Sequence, residues 1–261
     1  MTHVQTQFKN PFSLEGKTAL VTGGTVGIGQ GIAVALAQAG ANVAITAFGN
    51  TDGETARQVK EAGQDFASIS CDLSKLDLSG MQDLVRDVER DLGKVDILVN
   101  NAGIIRREDA EKFGEDDWNE VIEINLNATW RMTRAAGAGM LQRGYGKIIS
   151  IASLLSFQGG IRVPSYTASK HAVAGITKAL ANEWGSKGIN VNAIAPGYIA
   201  TNNTAALRAD PERSKAILDR IPAGRWGSPA DLGGAAVFLA SSAADYVNGH
   251  VLVVDGGWLS R

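Results

Sequence analysis

Short runs of β-branched and other apolar residues alternate with longer amphipathic or alanine-rich segments along most of the chain. The apolar runs are continuous rather than strictly alternating, which is typical of strands buried on both faces. They predict strands at 18–22, 43–47, 67–70, 97–100, 147–151, 190–194 and 251–254. The segments between them predict helices near 28–39, 52–62, 76–91, 116–142, 165–186 and 229–240.

This alternation predicts an α/β fold of right-handed βαβ units. We expect one Rossmann-type, doubly wound parallel sheet of about seven strands with helices on both faces. No linker or repeat interrupts 13–261, so this segment is expected to be a single domain, whereas 1–12 is polar and predicts a flexible tail. The polar segment 198–225 breaks the rhythm and predicts a substrate lid, with a plain surface insertion as the alternative.

Composition excludes several classes of function. The 261 residues carry a net charge of −2, which gives no electrostatic reason to expect nucleic acid or an anionic membrane as a partner. The single cysteine, Cys71, rules out an intrachain disulfide, and no histidine spacing indicates a metal site. No apolar span of about twenty residues and no signal-peptide pattern occur, so we expect a soluble, cytoplasmic protein.

The clearest binding signal is a glycine-rich turn after the first predicted strand. In VTGGTVGIG, Gly23, Gly27 and Gly29 stand between that strand and an alanine-rich helix, with Thr25 and Ile28 in the same turn. Such a turn lets backbone N–H groups approach a pyrophosphate at the helix N-terminus, where the helix dipole favours negative charge. The turn therefore predicts a dinucleotide site.

Two further strand ends fit the same ligand. Asp72, with Leu73 beside it, follows the third strand and is placed to accept a hydrogen bond from an adenine amino group; an N-cap for the next helix is the alternative. The stretch VNNAG ends the fourth strand, where small side chains let the adenosine ribose approach Asn101, Ala102 and Gly103.

The choice of dinucleotide depends on the residues after the second strand, ITAFGNTDGE. An acid there binds the ribose hydroxyls of NAD, and an arginine accepts the additional phosphate of NADP. Phe48 occupies the position instead, and Arg57 is the first base, well into the next helix. Because no cation is available for a 2′-phosphate, we expect NAD, with NADP as the alternative.

A candidate proton-transfer group lies after the fifth strand. Ser153 ends that strand, Tyr166 follows thirteen residues later, and Lys170 is one helical turn further on. Tyrosine has an ordinary pKa near 10, and an ammonium group nearby stabilises the phenolate. A Tyr/Lys pair four residues apart is by itself more typical of an ordinary helix turn. Asn125, in the long predicted helix, would need polar partners.

The segments TGGTVGIG and NNAG, together with Asn125, Ser153, the Tyr166-x-x-x-Lys170 pair and Pro196-Gly197, resemble the short-chain dehydrogenase/reductase family, in order and spacing, from residue 14 onward. The resemblance implies hydride transfer between NAD(P)(H) and a secondary alcohol or ketone.

The resemblance also implies individual roles. Tyr166 would transfer the proton, Lys170 would hold the nicotinamide ribose, Ser153 would orient the substrate oxygen, and Asn125 would anchor a water that links Lys170 to solvent. In APGYIATNN, the residues expected beside the nicotinamide are Pro196, Gly197, Ile199 and Thr201.

Stretches such as NNAGIIRREDA and SFQGGIRVPSYTASK are similar to members of the family that oxidise or reduce acyclic sugar acids in uronate catabolism. Arg106, Arg107 and Arg162 flank the expected mouth of the site, and guanidinium suits a carboxylate. We expect Arg106 and above all Arg162 to bind substrate, with Asn202 and Asn203 on its hydroxyls. A solvated charge or an ion pair is the alternative for each arginine.

The C-terminal stretch HVLVVDGGWLSR resembles the family's final strand and tail, which pack against another subunit. Trp258 on that edge predicts a homotetramer, unless it closes its own core. The favoured function is an NAD(H)-linked oxidoreductase of a deoxy-sugar acid. An NADP(H)-dependent reductase of another sugar or a 3-oxoacyl compound, and a dinucleotide sensor without catalysis, are the alternatives.

Substitution of Tyr166 by phenylalanine separates an enzyme from a sensor. We expect Tyr166→Phe to abolish turnover and to leave dinucleotide binding intact, because only the phenolic proton is removed. Steady-state rates and a cofactor titration measure the two properties on the same preparation. Turnover that survives together with binding would show that Tyr166 does not transfer the proton.

Overall fold

The computed structural model describes residues 10–49 and 52–261. Residues 1–9 of the predicted tail, and positions 50–51 after the second strand, lie outside the described residues. At the start of the described chain, the carbonyl of Pro11 accepts hydrogen bonds from Ala243 N–H (3.1 Å) and from Ser242 Oγ (3.0 Å).

Seven parallel strands form one sheet in the order β3-β2-β1-β4-β5-β6-β7. Each predicted strand is present, with ends that shift by at most two residues, because the continuous apolar runs mark chain that is covered on both faces. The strands are β1 (Thr18–Val21), β2 (Asn42–Ala47), β3 (Phe66–Ser70), β4 (Ile97–Asn100), β5 (Gly146–Ile151), β6 (Ile189–Pro196) and β7 (Val251–Val254).

Helices cover both faces of this sheet, which confirms the doubly wound fold. They are α1 (Gly27–Gln38), α2 (Gly53–Glu61), α3 (Leu78–Leu92), α4 (Glu115–Ile122), α5 (Thr129–Arg143), α6 (Pro164–Trp184), α7 (Ala205–Ala209), α8 (Pro211–Leu218) and α9 (Gly233–Ala240). In the part of the chain that the structure describes, no helix is long and apolar enough to cross a bilayer.

Alternate residues of the strands enter two separate cores. In β1, Ala19 and Val21 pack with Leu36 of α1 and Leu239 of α9. Leu20, on the opposite face, packs with residues of α3, α5 and α6. Successive side chains of a strand point to opposite faces, so one short apolar run supplies both layers.

The long helix predicted over 116–142 is interrupted. Between α4 and α5 the backbone passes through a π-helical turn, Glu123–Ala128, which contains the buried Asn125. Single π turns inside helices recur at functional sites, because they shift the side-chain register of the helix. The apolar periodicity continues through the turn, so the sequence pattern gave no sign of the break.

The segment 198–225 carries structure of its own and is held by the C-terminus. Trp258 is 5% exposed, and its ring lies 4.6 Å from that of Tyr198, between centroids. The guanidinium of Arg220 lies 4.0 Å from the same indole. Arg261 donates to the carbonyls of Asp219 and Arg220, which directly follow α8. The indole therefore closes a core within its own chain.

Candidate active site

A cavity of about 750 Å³ opens at the carboxyl ends of the strands, where the chain order reverses between β1 and β4. Most of the residues predicted to bind cofactor or substrate line it: Gly23, Thr25, Gly27, Ile28, Gly29, Phe48, Asp72, Leu73, Asn101, Ala102, Gly103, Arg106, Tyr166, Lys170, Thr201, Asn202 and Asn203. The remaining predicted residues, Asn125, Ser153, Arg162, Pro196, Gly197 and Ile199, are not in its wall.

The glycine turn between β1 and α1 has the geometry that the sequence predicts. Gly23 and Gly27 have φ of +64° and +60°, in the left-handed region that favours glycine. A Cβ on Gly29 would lie 2.2 Å from the carbonyl oxygen of Gly23, so no side chain fits there. The N-terminus of α1 thus faces the cavity across bare backbone, which suits a pyrophosphate.

Threonines at the ends of two strands hold this turn, and sequence reasoning missed them. The Oγ1 of Thr22, which is buried, accepts hydrogen bonds from the N–H groups of Asn101 (2.9 Å) and Ala102 (3.0 Å). The Oγ1 of Thr46 accepts one from Gly23 N–H (3.0 Å). Their place at a strand's carboxyl end was the only signal in the sequence.

Asn101 links the loop after β4 to the glycine turn. Its Nδ2 donates to the carbonyl oxygens of Thr22 (2.9 Å) and Gly23 (3.0 Å). The amide is therefore used for structure, while its backbone still borders the cavity.

Asp72 has the capping role that the sequence offered as the alternative, and its bond to an adenine amino group stays a prediction. Its Oδ1 accepts hydrogen bonds from the Ser74 N–H (3.0 Å) and Ser74 Oγ (2.6 Å), so it caps the following 3₁₀ turn. It also lines the cavity, close to Cys71. Burial, reinforced by the charge of Asp72, raises the pKa of the Cys71 thiol to about 11. At neutral pH this thiol is a neutral wall of the site.

The structure brings Ser153, Tyr166 and Lys170 together. The Nζ of Lys170 donates to the Ile151 carbonyl (2.5 Å) and lies 5.5 Å from the centroid of the Tyr166 ring. Burial raises the pKa of Tyr166, while the hydrogen bond from Ser153 and the positive charge of Arg107 act in the opposite direction. Burial also lowers the pKa of Lys170 to about 8.

A second buried serine, which sequence reasoning missed, fixes the lysine-bearing helix. Ser156 Oγ donates to the Lys170 carbonyl (2.7 Å) and accepts from Ser153 N–H (3.3 Å). These two bonds tie the turn after β5 to α6 through the backbone groups of Ser153 and Lys170 themselves. The spacing of Ser156 three residues after Ser153 is a capping-box pattern, which would have been the signal for it.

Asn125 uses its side chain to position other elements. Its Oδ1 accepts from the Ile104 N–H (2.8 Å), and its Nδ2 donates to the Ile104 carbonyl (2.9 Å) and to Ser169 Oγ (3.3 Å). The side chain thus joins the loop after β4 to α6, and its exposed fraction is 1%. The water link to Lys170 stays a prediction.

Three predicted cofactor residues at and just after the end of β6 pack into the protein rather than line the cavity. A Cβ on Gly197 would lie 2.4 Å from the Asp255 Cα, so glycine is needed for close packing against the end of β7. Ile199 is buried in the core beside α1 and α9, and Pro196 is the last residue of β6. Thr201, two residues beyond Ile199, does reach the cavity.

The arginines at the mouth differ in their partners. Arg106 pairs with Glu120 (2.7 Å) and Asp117 (3.4 Å). Arg162 pairs with Glu108 (3.2 Å) and Asp109 (2.9 Å). Arg107 has no carboxylate partner among residues 10–49 and 52–261; its Nη2 donates to the Asn203 carbonyl (3.1 Å). The positive charge of Arg107 acts to lower the pKa of Tyr166.

Comparisons with known proteins agree with this site. A family model described as enoyl-(acyl carrier protein) reductase matches residues 23–259. A 2-dehydro-3-deoxy-D-gluconate 5-dehydrogenase from Bacillus subtilis is 59% identical over 253 residues, 96% of this chain and 97% of that protein. The Escherichia coli protein of the same name is 58% identical over 252 residues, 96% and 98% of the two chains.

Solved structures have the same fold. A Burkholderia cenocepacia gluconate 5-dehydrogenase in complex with NADP and tartrate has a TM-score of 0.91 and 38% identity, over 96% of this chain and 98% of that one. A protein from Agrobacterium tumefaciens solved with bound NADP has a TM-score of 0.91 and 58% identity, over 97% and 100% of the two chains.

Because Lys170 is buried, we expect the free energy of unfolding to depend on pH. Its pKa is about 8 in the folded protein and near 10.5 for an ordinary lysine. Between these values the unfolded chain binds more protons, so the free energy of unfolding should rise with pH, by about 3 kcal/mol in all. Urea denaturation of the cofactor-free protein from pH 7.5 to 10.5 should show this rise relative to Lys170→Met.

The exposed Lys178 lies on the same helix and is the matched control. The Lys178→Met variant should follow the wild type across this pH range. Parallel curves for the wild type and Lys170→Met would mean that Lys170 keeps an ordinary pKa in the folded protein.

Proposed function

The chain belongs to the short-chain dehydrogenase/reductase family of NAD(P)-dependent oxidoreductases, and from that membership we propose that it interconverts 2-dehydro-3-deoxy-D-gluconate and its 5-keto partner. The family relation supports the reaction type. The observation that carries the substrate assignment is the guanidinium of Arg107, which has no carboxylate partner among the described residues and whose positive charge acts to lower the pKa of Tyr166.

The dinucleotide, when bound, supplies or accepts the hydride. Tyr166 donates or removes the proton at the substrate oxygen, and Ser153 holds that oxygen by a hydrogen bond. Burial raises the pKa of Tyr166, so the phenolate needs positive charge nearby. Arg107 supplies part of that charge, and Lys170, 5.5 Å from the ring centroid, is the nearest ammonium.

Arg107 is the residue that we assign to the substrate carboxylate. Two predicted ligands, Arg106 and Arg162, each face two carboxylates already, and a third anion would have to displace them. Arg107 would exchange only the Asn203 carbonyl for the ligand. A charge-assisted pair with a carboxylate is stronger than a bond to a neutral carbonyl, so this exchange is favourable.

The segment 198–225 serves as the lid in this proposal. Thr201, Asn202 and Asn203 line the cavity and present hydroxyl and amide groups that suit a polyol. The C-terminal turn around Trp258 anchors the far end of the segment. A lid with this polar lining favours a small sugar acid over the acyl chain of a 3-oxoacyl substrate.

Both dinucleotides fit the adenosine end. Phe48, 79% exposed, stands where an acid would select NAD, and Arg57 is occupied by Glu54 and Glu61. Phe48 carries no charge that would repel a 2′-phosphate, and two solved relatives hold NADP. We propose that the enzyme uses either cofactor; the preference for NAD expected from the missing cation stays a prediction.

We also propose that the enzyme is a cytoplasmic homotetramer. Trp118 on α4 and Trp130 on α5 are each 38% exposed, and large exposed apolar side chains favour contact between copies. Sedimentation or light scattering gives the mass of the assembly directly.

The proposed reaction is tested by initial rates with 2-dehydro-3-deoxy-D-gluconate and with its diketo partner, each with NAD(H) and NADP(H). Turnover with at least one cofactor is expected. If neither direction proceeds with either cofactor while neutral sugars are turned over, the sugar-acid assignment is wrong.

We expect Arg107→Ala to raise the KM for the sugar acid roughly 10- to 100-fold, because a hydrogen bond between charged groups contributes about 1.5–3 kcal/mol. Arg107→Lys should recover part of the loss, since it keeps the charge but not the two parallel donors. Steady-state kinetics against the sugar acid and against a neutral sugar measure the difference.

The matched control is Arg86→Ala, on α3, where the guanidinium pairs with Asp83 away from the cavity. It should leave both KM values unchanged. An Arg107→Ala enzyme whose KM is unaltered for the sugar acid would remove Arg107 from the substrate site.

A further inference from the structure

Arg162 is held in an unusual backbone conformation by the loop after β4. Its φ is +63°, and among the described residues no other non-glycine residue has a positive φ. Its carbonyl accepts a hydrogen bond from the Glu108 N–H (3.1 Å). Its Nη2 lies 3.2 Å from Glu108 Oε1, and its Nε lies 2.9 Å from Asp109 Oδ1. Such a conformation persists only where the surroundings determine it, and three contacts do so here.

These contacts join two parts of the active site. Glu108 and Asp109 directly follow Arg107 in the chain. Arg162 directly precedes Val163, which is buried and marks the start of α6, the helix that carries Tyr166. A shift of either segment would therefore change the distance between the charge of Arg107 and the phenol.

The acids are themselves fixed. Glu108 Oε1 accepts a hydrogen bond from the Asp109 N–H (2.7 Å). That bond and then the side chain of Arg162 lower the pKa of Glu108, so it remains ionised at neutral pH. Exposed ion pairs contribute little to global stability, so the consequence of these pairs is geometric.

We propose that Arg162 is a positioning residue, which through Glu108 and Asp109 holds the Arg107 loop at a set distance from Tyr166. A sugar acid can then place its carboxylate on Arg107 and its alcohol carbon beside the tyrosine at the same time. The inference takes the identity of the substrate from the proposed function. The contacts that hold the loop do not depend on that identity.

A double-mutant cycle separates this role from direct substrate binding. Arg162→Ala is expected to lower kcat/KM for the sugar acid roughly tenfold, since small misplacements of reacting groups are costly. The KM for the dinucleotide should not change. The pair Glu108→Gln/Asp109→Asn should lower kcat/KM by the same factor, and the triple variant should be no worse than either.

Direct binding of substrate by Arg162 would give a different kinetic pattern. If Arg162 bound substrate, removal of the two acids would free its guanidinium, and the KM for the sugar acid would stay constant or fall. Arg162→Ala would then raise KM whether or not the acids were present. That pattern would overturn the proposal.

Hydrogen exchange at the Glu108 amide gives a readout that needs no substrate. In the cofactor-free protein, Arg162→Ala should speed exchange at this amide by roughly tenfold or more, and Arg162→Lys should give an intermediate rate. Arg86→Ala is the control and should leave it unchanged.

Unaltered exchange in Arg162→Ala would overturn the positioning role, whatever the enzyme turns over. Faster exchange in a protein that does not act on sugar acids would instead count against the proposed function and leave the positioning role standing.

Discussion

The active site depends on the close approach of the loop after β4 to the glycine turn after β1. Asn101 donates to the carbonyls of Thr22 and Gly23, and Thr22 accepts from the loop in return. The approach leaves no room for a Cβ at Gly29. Because this contact lies where the strand order reverses, it also sets where the crevice opens and where a dinucleotide can lie.

Burial controls the chemistry on the other side of that crevice. The same packing raises the pKa of Tyr166 and lowers that of Lys170 to about 8, so burial opposes the charged form of each group, although Lys170 remains mostly protonated at neutral pH. Charges at the mouth of the site and on the ligand then have a larger effect on the protonation of these two groups, since they act in a poorly solvated site. Ser156 links the backbone of Ser153 to that of Lys170 by two hydrogen bonds, which fixes the two segments relative to one another.

The three arginines at the mouth illustrate how pairing, rather than residue type, assigns a role. Arg106 and Arg162 each pair with two neighbouring acids, which is why we propose that Arg107 rather than either of them meets the substrate carboxylate. Arg107 pairs with no carboxylate in the described part of the chain, and its charge acts to lower the pKa of Tyr166. The expectation that Arg162 is the foremost substrate ligand followed from its distance to Tyr166 along the chain; in space, its side chain faces Glu108 and Asp109 instead of the cavity.

The sequence by itself determined the sheet and the glycine turn, because apolar runs and glycine spacing are local properties of the chain. It indicated the Ser153, Tyr166 and Lys170 set only through the resemblance to a known family, since a tyrosine and a lysine one helical turn apart also occur in ordinary helices. Only the tertiary structure decided the π turn at Asn125 and the ion pairs of the arginines. Those features depend on contacts between segments distant in sequence, such as 108 with 162, and local patterns do not encode which charge will find which partner.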